Sequence, residues 1–201
     1  MADKIIVEIY KNKNTEELSK ILADPESRLE VGSAAAVSAA MAAALMERAA
    51  SVTAETVKNN VRLDYILRNS ETIRNYMVYL IDEDVKSRGP LRKAVSNDDK
   101  NAIEASRQPA VCIPAEIINM MSQSLDLMLE LSGMCPKEAM HYIAEAAHLA
   151  MGSIRSCRVF IVNMSDGSAD ETYRFVTRRE NEITLSHCDE VCEKILSRLE
   201  A

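Results

Sequence analysis

The sequence predicts an all-α fold, a single-domain helical bundle of about six to seven helices around an alanine-rich central helix. Three observations carry this. Ala, Leu, Met, Glu, Lys and Arg abound, whereas Trp is absent and Phe occurs twice. No long stretch alternates apolar and polar residues, although Ile5 to Tyr10 reads as either helical or extended. Five Gly and five Pro among 201 residues leave no room for long linkers. A chain of this length makes one domain, residues 1–201, burying roughly 70% of its unfolded surface.

Each element has its own boundary signal. Asn14, with Glu17 three residues on, predicts a capped short helix to about Ala23, ended by Pro25. A connector from Glu26 to Gly32 leads to a second helix from near Ser33 to about Asn60. Ten of the eighteen residues from Ser33 to Ala50 are alanine, so neighbouring backbones can approach closely on several sides. The third helix spans about Leu63 to Arg88, with Gly89-Pro90 as its stop. Ser96-Asn97-Asp98-Asp99 caps a shorter helix to Arg107. Pro109 and Pro114 bracket a break, and Pro114 opens a helix that closes at Gly133. Pro136 starts a long helix to near Met164. A turn at Asp166-Gly167-Ser168 precedes the last helix, about Asp170 to Leu199.

Composition excludes several classes of function. With 31 acidic against 24 basic residues and a net charge of -7, the chain lacks the cationic surplus that drives general nucleic-acid binding. It also lacks that of a basic membrane-surface module. Val31 to Met46 is uncharged but too short and alanine-rich for a membrane span. Five cysteines without a CxxC, and no secretory leader pattern at Met1 to Ile5, predict a reduced, cytoplasmic protein.

Three places carry potential chemistry. Gly32-Ser33 heads the second helix, where free N–H groups can accept an anion or carbonyl oxygen; a plain serine cap is the reading that local sequence favours. Asp84 shares a helix face with Met77, Leu80 and Ile81, so its carboxylate is expected to be partly desolvated and suited to proton transfer. An ordinary ion pair with Arg88, one turn on, is the alternative. Asp82 lies on another flank. On the long helix, His141, Glu145, His148, Gly152 and Arg155 form a polar seam facing solvent or lining a cleft. The spacing is not HExxH and no further ligand is evident, so no metal is expected. Cys188 and Cys192 share a face and read as packing residues.

Taken in order, these segments resemble the cyclodeaminase domain of formiminotransferase-cyclodeaminase, a family that includes bacterial methenyltetrahydrofolate cyclohydrolases. The motifs are Gly32-Ser33-Ala34-Ala35-Ala36 through Ser51-Val52-Thr53, Ile81-Asp82-Glu83-Asp84, Val111-Cys112-Ile113-Pro114-Ala115-Glu116-Ile117 and the helix ending Val162-Asn163-Met164. The similarity runs from about Asn14 to the C-terminus. Departures are specific: Leu29-Glu30-Val31-Gly32 replaces Pro-Gly-Gly-Gly, Met140-His141 replaces Ser-Asp, and Ser87 and Arg88 replace an alanine and an aromatic residue.

The resemblance implies a folate-dependent one-carbon enzyme. Its reaction would be cyclisation of formiminotetrahydrofolate with loss of ammonia, or hydrolysis of methenyltetrahydrofolate. Asp84 and His141 would be proton carriers. Gly32, Ser33, Arg88, Glu145, His148 and Asn163 would bind substrate. No metal or cofactor is needed beyond the tetrahydrofolate derivative. The alanine-rich central helix and the modest domain size point to a homodimer. A catalytically silent scaffold that binds a small molecule or a protein is the alternative, motivated by the departures.

Overall fold

A computed structural model describes residues 9–199. Its elements are α1 (Thr15–Ala23), α2 (Val31–Thr56), α3 (Val61–Ser87), α4 (Gly89–Ser96), α5 (Lys100–Ser132), a 3-10 turn (Lys137–Ala139), α6 (Met140–Asp166) and α7 (Glu171–Leu199). No strand occurs among the described residues; Ile5 to Glu8, part of the ambiguous stretch, lie outside them.

The capping logic accounts for α1. The Asn14 side chain accepts from the Glu17 N–H at 2.9 Å, and Glu17 accepts back from the Asn14 N–H at 3.2 Å, closing a capping box. In α2, Ala36, Ala39, Ala42, Ala43, Ala49 and Ala50 are wholly buried. Only small side chains on several faces allow this, and α2 accordingly packs along α3 and α6 and against α5. It is also long and apolar enough to cross a membrane by composition, a property shared by core helices such as this one. α6 runs antiparallel to α2. The Ser38 hydroxyl donates to the Leu149 carbonyl at 3.2 Å, and the Arg48 guanidinium lies 4.5 Å from the Tyr142 ring centroid.

Three boundaries differ from the expected ones. α2 begins at Val31 and not near Ser33, so Ser33 sits inside its first turn. Gly89-Pro90 ends α3 but also starts α4, since a first-turn proline sacrifices no intrahelical bond. Pro109 and Pro114 do not break the chain: α5 runs through both. Each proline removes one N–H donor, yet Ala110, Val111, Pro114, Ile117 and Met121 form a buried row that runs through this region, and that packing outweighs the local penalty.

Candidate functional site

The site begins where the first turn of α2 meets the last turn of α3. Val31, Gly32 and Ser33 are the first α2 residues, with N–H groups that lack helical partners. The Ser33 N–H donates to Asp84 Oδ2 at 2.9 Å. The Ser33 hydroxyl lies 3.0 Å from the same oxygen and 2.9 Å from the Ile81 carbonyl oxygen. The anion expected at this helix entrance is thus supplied by the chain itself.

Asp84 is fully buried, not half-buried as the sequence suggested. Arg88 Nη2 donates to its Oδ2 at 2.7 Å, and Arg88 is itself 2% exposed. The other guanidinium nitrogen, Nη1, pairs with Glu30 Oε2. The Arg88 guanidinium also lies over Phe160, 5.2 Å from the ring centroid. Asp84 Oδ1 makes no hydrogen bond among the described residues and abuts Gly32, where a Cβ would fall 2.1 Å away. The surviving glycine is required by close approach of a carboxylate, not by backbone conformation.

Around this ionic core lie two cavities, and Glu30 borders both. The larger is a cleft of about 680 Å³ between the α1–α2 connector, the start of α2 and the middle of α6. Asp24, Ser27, Glu30, Ser38, Gly152 and Ser153 are among its walls. The smaller, of about 320 Å³, lies between α4 and α6 and is bordered by Glu30, Arg88, Leu91, Arg92, Phe160 and Met164. Arg92 is held by Nη2 donating to the Val85 carbonyl at 2.5 Å, and burial lowers its pKa, with the nearby Arg88 charge adding to the effect.

The structure brings Gly32, Ser33, Asp84 and Arg88 together but leaves His141 elsewhere. His141 is exposed and tilted against Tyr142, which faces Arg48 of α2. Fifteen helical residues separate Ser33 from Arg48, roughly 22 Å along the axis. The common hollow for Asp84, His141 and Ser33 is therefore absent within one chain. Glu145, His148 and Asn163 are exposed and line neither cavity, and Arg155 pairs with Asp189 at 2.7 Å. The polar seam faces solvent and meets the cleft at Gly152. Asp82, read from sequence as lying on another flank, is buried and accepts from the Tyr10 N–H at 2.7 Å and the Lys11 N–H at 3.2 Å, clasping the N-terminal segment. Among the described residues, no group of three or more His, Cys, Asp or Glu could hold a metal ion.

Sequence reasoning missed Glu30, Ser38 and Ser153 as site residues. A signal existed for Glu30: a glycine position that became acidic and an aromatic position that became Arg88 are one event in space, because the two side chains pair.

An all-α bundle with its ionic knot at the head of an alanine-rich helix defines the class. Over residues 14–182 the chain matches the family model described as formiminotransferase-cyclodeaminase, and it belongs to that family. Among solved structures it is similar to the formiminotetrahydrofolate cyclodeaminase of Thermotoga maritima, with a TM-score of 0.86 and 20% identity, covering 94% of this chain and 97% of that one. At that identity the likeness shows a shared fold. No curated protein sequence matches the chain.

Proposed function

We infer that the protein acts on one-carbon derivatives of tetrahydrofolate, as a cyclodeaminase- or cyclohydrolase-like enzyme, in the cleft beside the α2 entrance. The observation that carries this reading is family membership across residues 14–182, combined with an open cleft at the head of the family's alanine-rich helix. In cyclisation, one folate nitrogen attacks the formimino carbon and the tetrahedral centre expels ammonia, which needs a proton at the departing amine. In hydrolysis, water adds to the cationic methenyl carbon and a base removes its proton. The tetrahedral centre then breaks its bond to one folate nitrogen, which takes up a proton, and leaves a formyl group on the other.

Asp84 has a different role in this reading from the one its sequence position suggested. A general acid must reach the proton it moves, and Asp84 is sealed beneath Gly32 and held by Arg88 and Ser33. It positions the α2 entrance, and through Arg88 it positions Glu30. The ionisable groups that line the cleft are Asp24 and Glu30.

His141 joins the chemistry only in a homodimer that carries the α6 seam to a partner's cleft. Met41, a large apolar side chain 55% exposed on α2, supports such a contact. Light scattering on wild type and Met41→Glu tests it, with loss of the dimer expected in the variant. All five cysteines are free thiols, in keeping with the reducing cytoplasm.

A second reading, a catalytically silent folate-binding scaffold, is favoured by the closed Asp84–Arg88–Glu30 pairing. Calorimetric titration with 5-formyltetrahydrofolate, run beside assays of formimino cyclisation and methenyl hydrolysis, separates the two. Turnover above background in wild type, reduced in Glu30→Gln, supports the enzyme. Heat without turnover supports the scaffold, and neither heat nor turnover overturns the folate reading.

A further inference from the structure

The smaller cavity, between α4 and α6, joins an apolar wall to charged donors that are only partly used. Leu91, Val95, Phe160 and Met164 supply the wall, and Val95 is 59% exposed. Arg88 and Arg92 border the same space. Arg88 gives Nη1 to Glu30 and Nη2 to Asp84, yet its Nε is buried without a hydrogen bond among the described residues. Arg92 gives Nη2 to the Val85 carbonyl, and its Nη1 is likewise buried without a hydrogen bond. That Nη1 stands 3.9 Å from Glu30 Oε1, close enough for attraction but too far for a hydrogen bond. Buried N–H groups of charged side chains are costly to leave unpaired, so two of them bordering one cavity call for an acceptor there.

Charge balance sets what the acceptor can be. The charges that act on Arg92 are Arg88 and Arg28 on one side and Glu30 and Asp84 on the other, so Arg92 itself is the surplus cation. One negative charge completes the balance. Burial and the Arg88 charge both disfavour a cation at Arg92, a cost that an incoming anion relieves. Two lining groups weigh against a dianion such as phosphate: the Glu30 carboxylate, and Ser96, whose hydroxyl proton goes to the Lys93 carbonyl at 2.9 Å. The apolar wall gives phosphate no partner either.

We propose that this cavity binds an apolar monocarboxylate, with Arg92 as its ion-pairing residue and Leu91, Val95, Phe160 and Met164 around its hydrocarbon body. Its volume of about 320 Å³ is at the small end for a ligand cavity and suits a single ring with its carboxylate. A guanidinium N–H meeting a carboxylate makes a bond roughly twice as strong as a neutral one, which favours the anion over its amide. The site lies on the α4 side of Glu30, and the proposal does not rest on the folate reading of the cleft.

The test compares cyclohexanecarboxylate with cyclohexanecarboxamide, near-isosteric and differing in charge, in ligand-detected NMR titrations at neutral pH. Wild type is expected to prefer the carboxylate by about tenfold, the margin of a charged over a neutral hydrogen bond. Arg92→Gln is expected to remove most of that preference. Val95→Glu puts a negative charge on an exposed part of the wall and is expected to weaken the carboxylate about threefold, with the carboxamide nearly unchanged. It keeps the proposal falsifiable should Arg92→Gln, which gives up the bond to Val85, lose its cooperative melt.

Equal affinity of wild type for the two probes overturns the proposal. So does a preference that survives both substitutions, or tighter binding of inorganic phosphate than of the carboxylate. Competition with 5-formyltetrahydrofolate separates this site from the cleft. Simultaneous saturation by both ligands supports a second site, whereas displacement of the carboxylate by the folate assigns the arginines to the cleft and overturns it. Carboxylate selectivity without folate binding leaves the anion site standing and removes the folate reading. Folate binding without carboxylate selectivity does the reverse.

Discussion

Arg88 reaches back one turn of α3 to Asp84 at 2.7 Å, and the two side chains are 2% and 0% exposed. A spacing that on an exposed helix contributes a few tenths of a kcal/mol (about 0.2–0.5) is here closed off from water. Removing either charge leaves the other buried with fewer partners. Asp84→Ala and Arg88→Met are each expected to cost about 3 kcal/mol or more of unfolding free energy in urea titrations. The double variant Asp84→Leu/Arg88→Met should recover much of that loss. Additive losses would show that the pair is not a coupled unit.

Gly32 gives a sharper steric prediction. A Cβ there would fall 2.1 Å from Asp84 Oδ1 and 2.5 Å from its Cγ. Gly32→Ala therefore has to push the carboxylate off Ser33 and Arg88, at about 1–3 kcal/mol, typical of overpacking. Gly152→Ala is the control, since nothing lies within 4 Å of its added methyl group. Equal melting temperatures for the two variants would refute the close-approach account.

Thiol reactivity should follow burial. Burial pushes the Cys157 thiol up to about 12, with the nearby Asp84 charge adding to the effect, and burial also raises Cys188 and Cys192. Cys112 is exposed. Iodoacetamide at pH 8 is expected to label Cys112 first in the folded protein, and Cys157 only after denaturation. Mass spectrometry of tryptic peptides reads the order, and early labelling of Cys157 would contradict the packing around Asp84.

Acid sensitivity has two traceable sources. A hydrogen bond from Ser168, with further ones from Arg107 and the Ala169 N–H, holds the Glu104 carboxyl below the usual 4.5. A hydrogen bond from Arg62, whose Nε lies 2.7 Å away, does the same for Glu130. Both pKa values are lowered in the folded state, so their contribution is present above about pH 4.5 and is lost as pH falls through the folded values. Melting temperature should drop below pH 4.5, and the Glu104→Gln/Glu130→Gln variant should show a flatter acid limb. Identical slopes would assign acid loss to other carboxylates.

The sequence by itself determined the helical class, the Asn14 and Asp99 caps, the central place of the alanine-rich helix and the ordered motifs of the family. These are set by spacing and local propensity, which a linear reading captures. It failed at Pro109 and Pro114, where a buried row along α5 outweighs a local penalty that sequence shows in full. It could also see Asp84 and Arg88 as neighbours without seeing that Ser33 and Gly32 close over them.

Only the tertiary structure decided which groups meet. Packing of α2 against α3 turned a candidate proton donor into a buried anchor, and the antiparallel run of α6 carried His141 far from it along the bundle axis. It also joined Glu30 to Arg88 across 58 positions of sequence. The physical reason is that desolvation and ion pairing depend on distances between helices, and helical periodicity fixes which side of a rod a residue occupies but not what lies opposite.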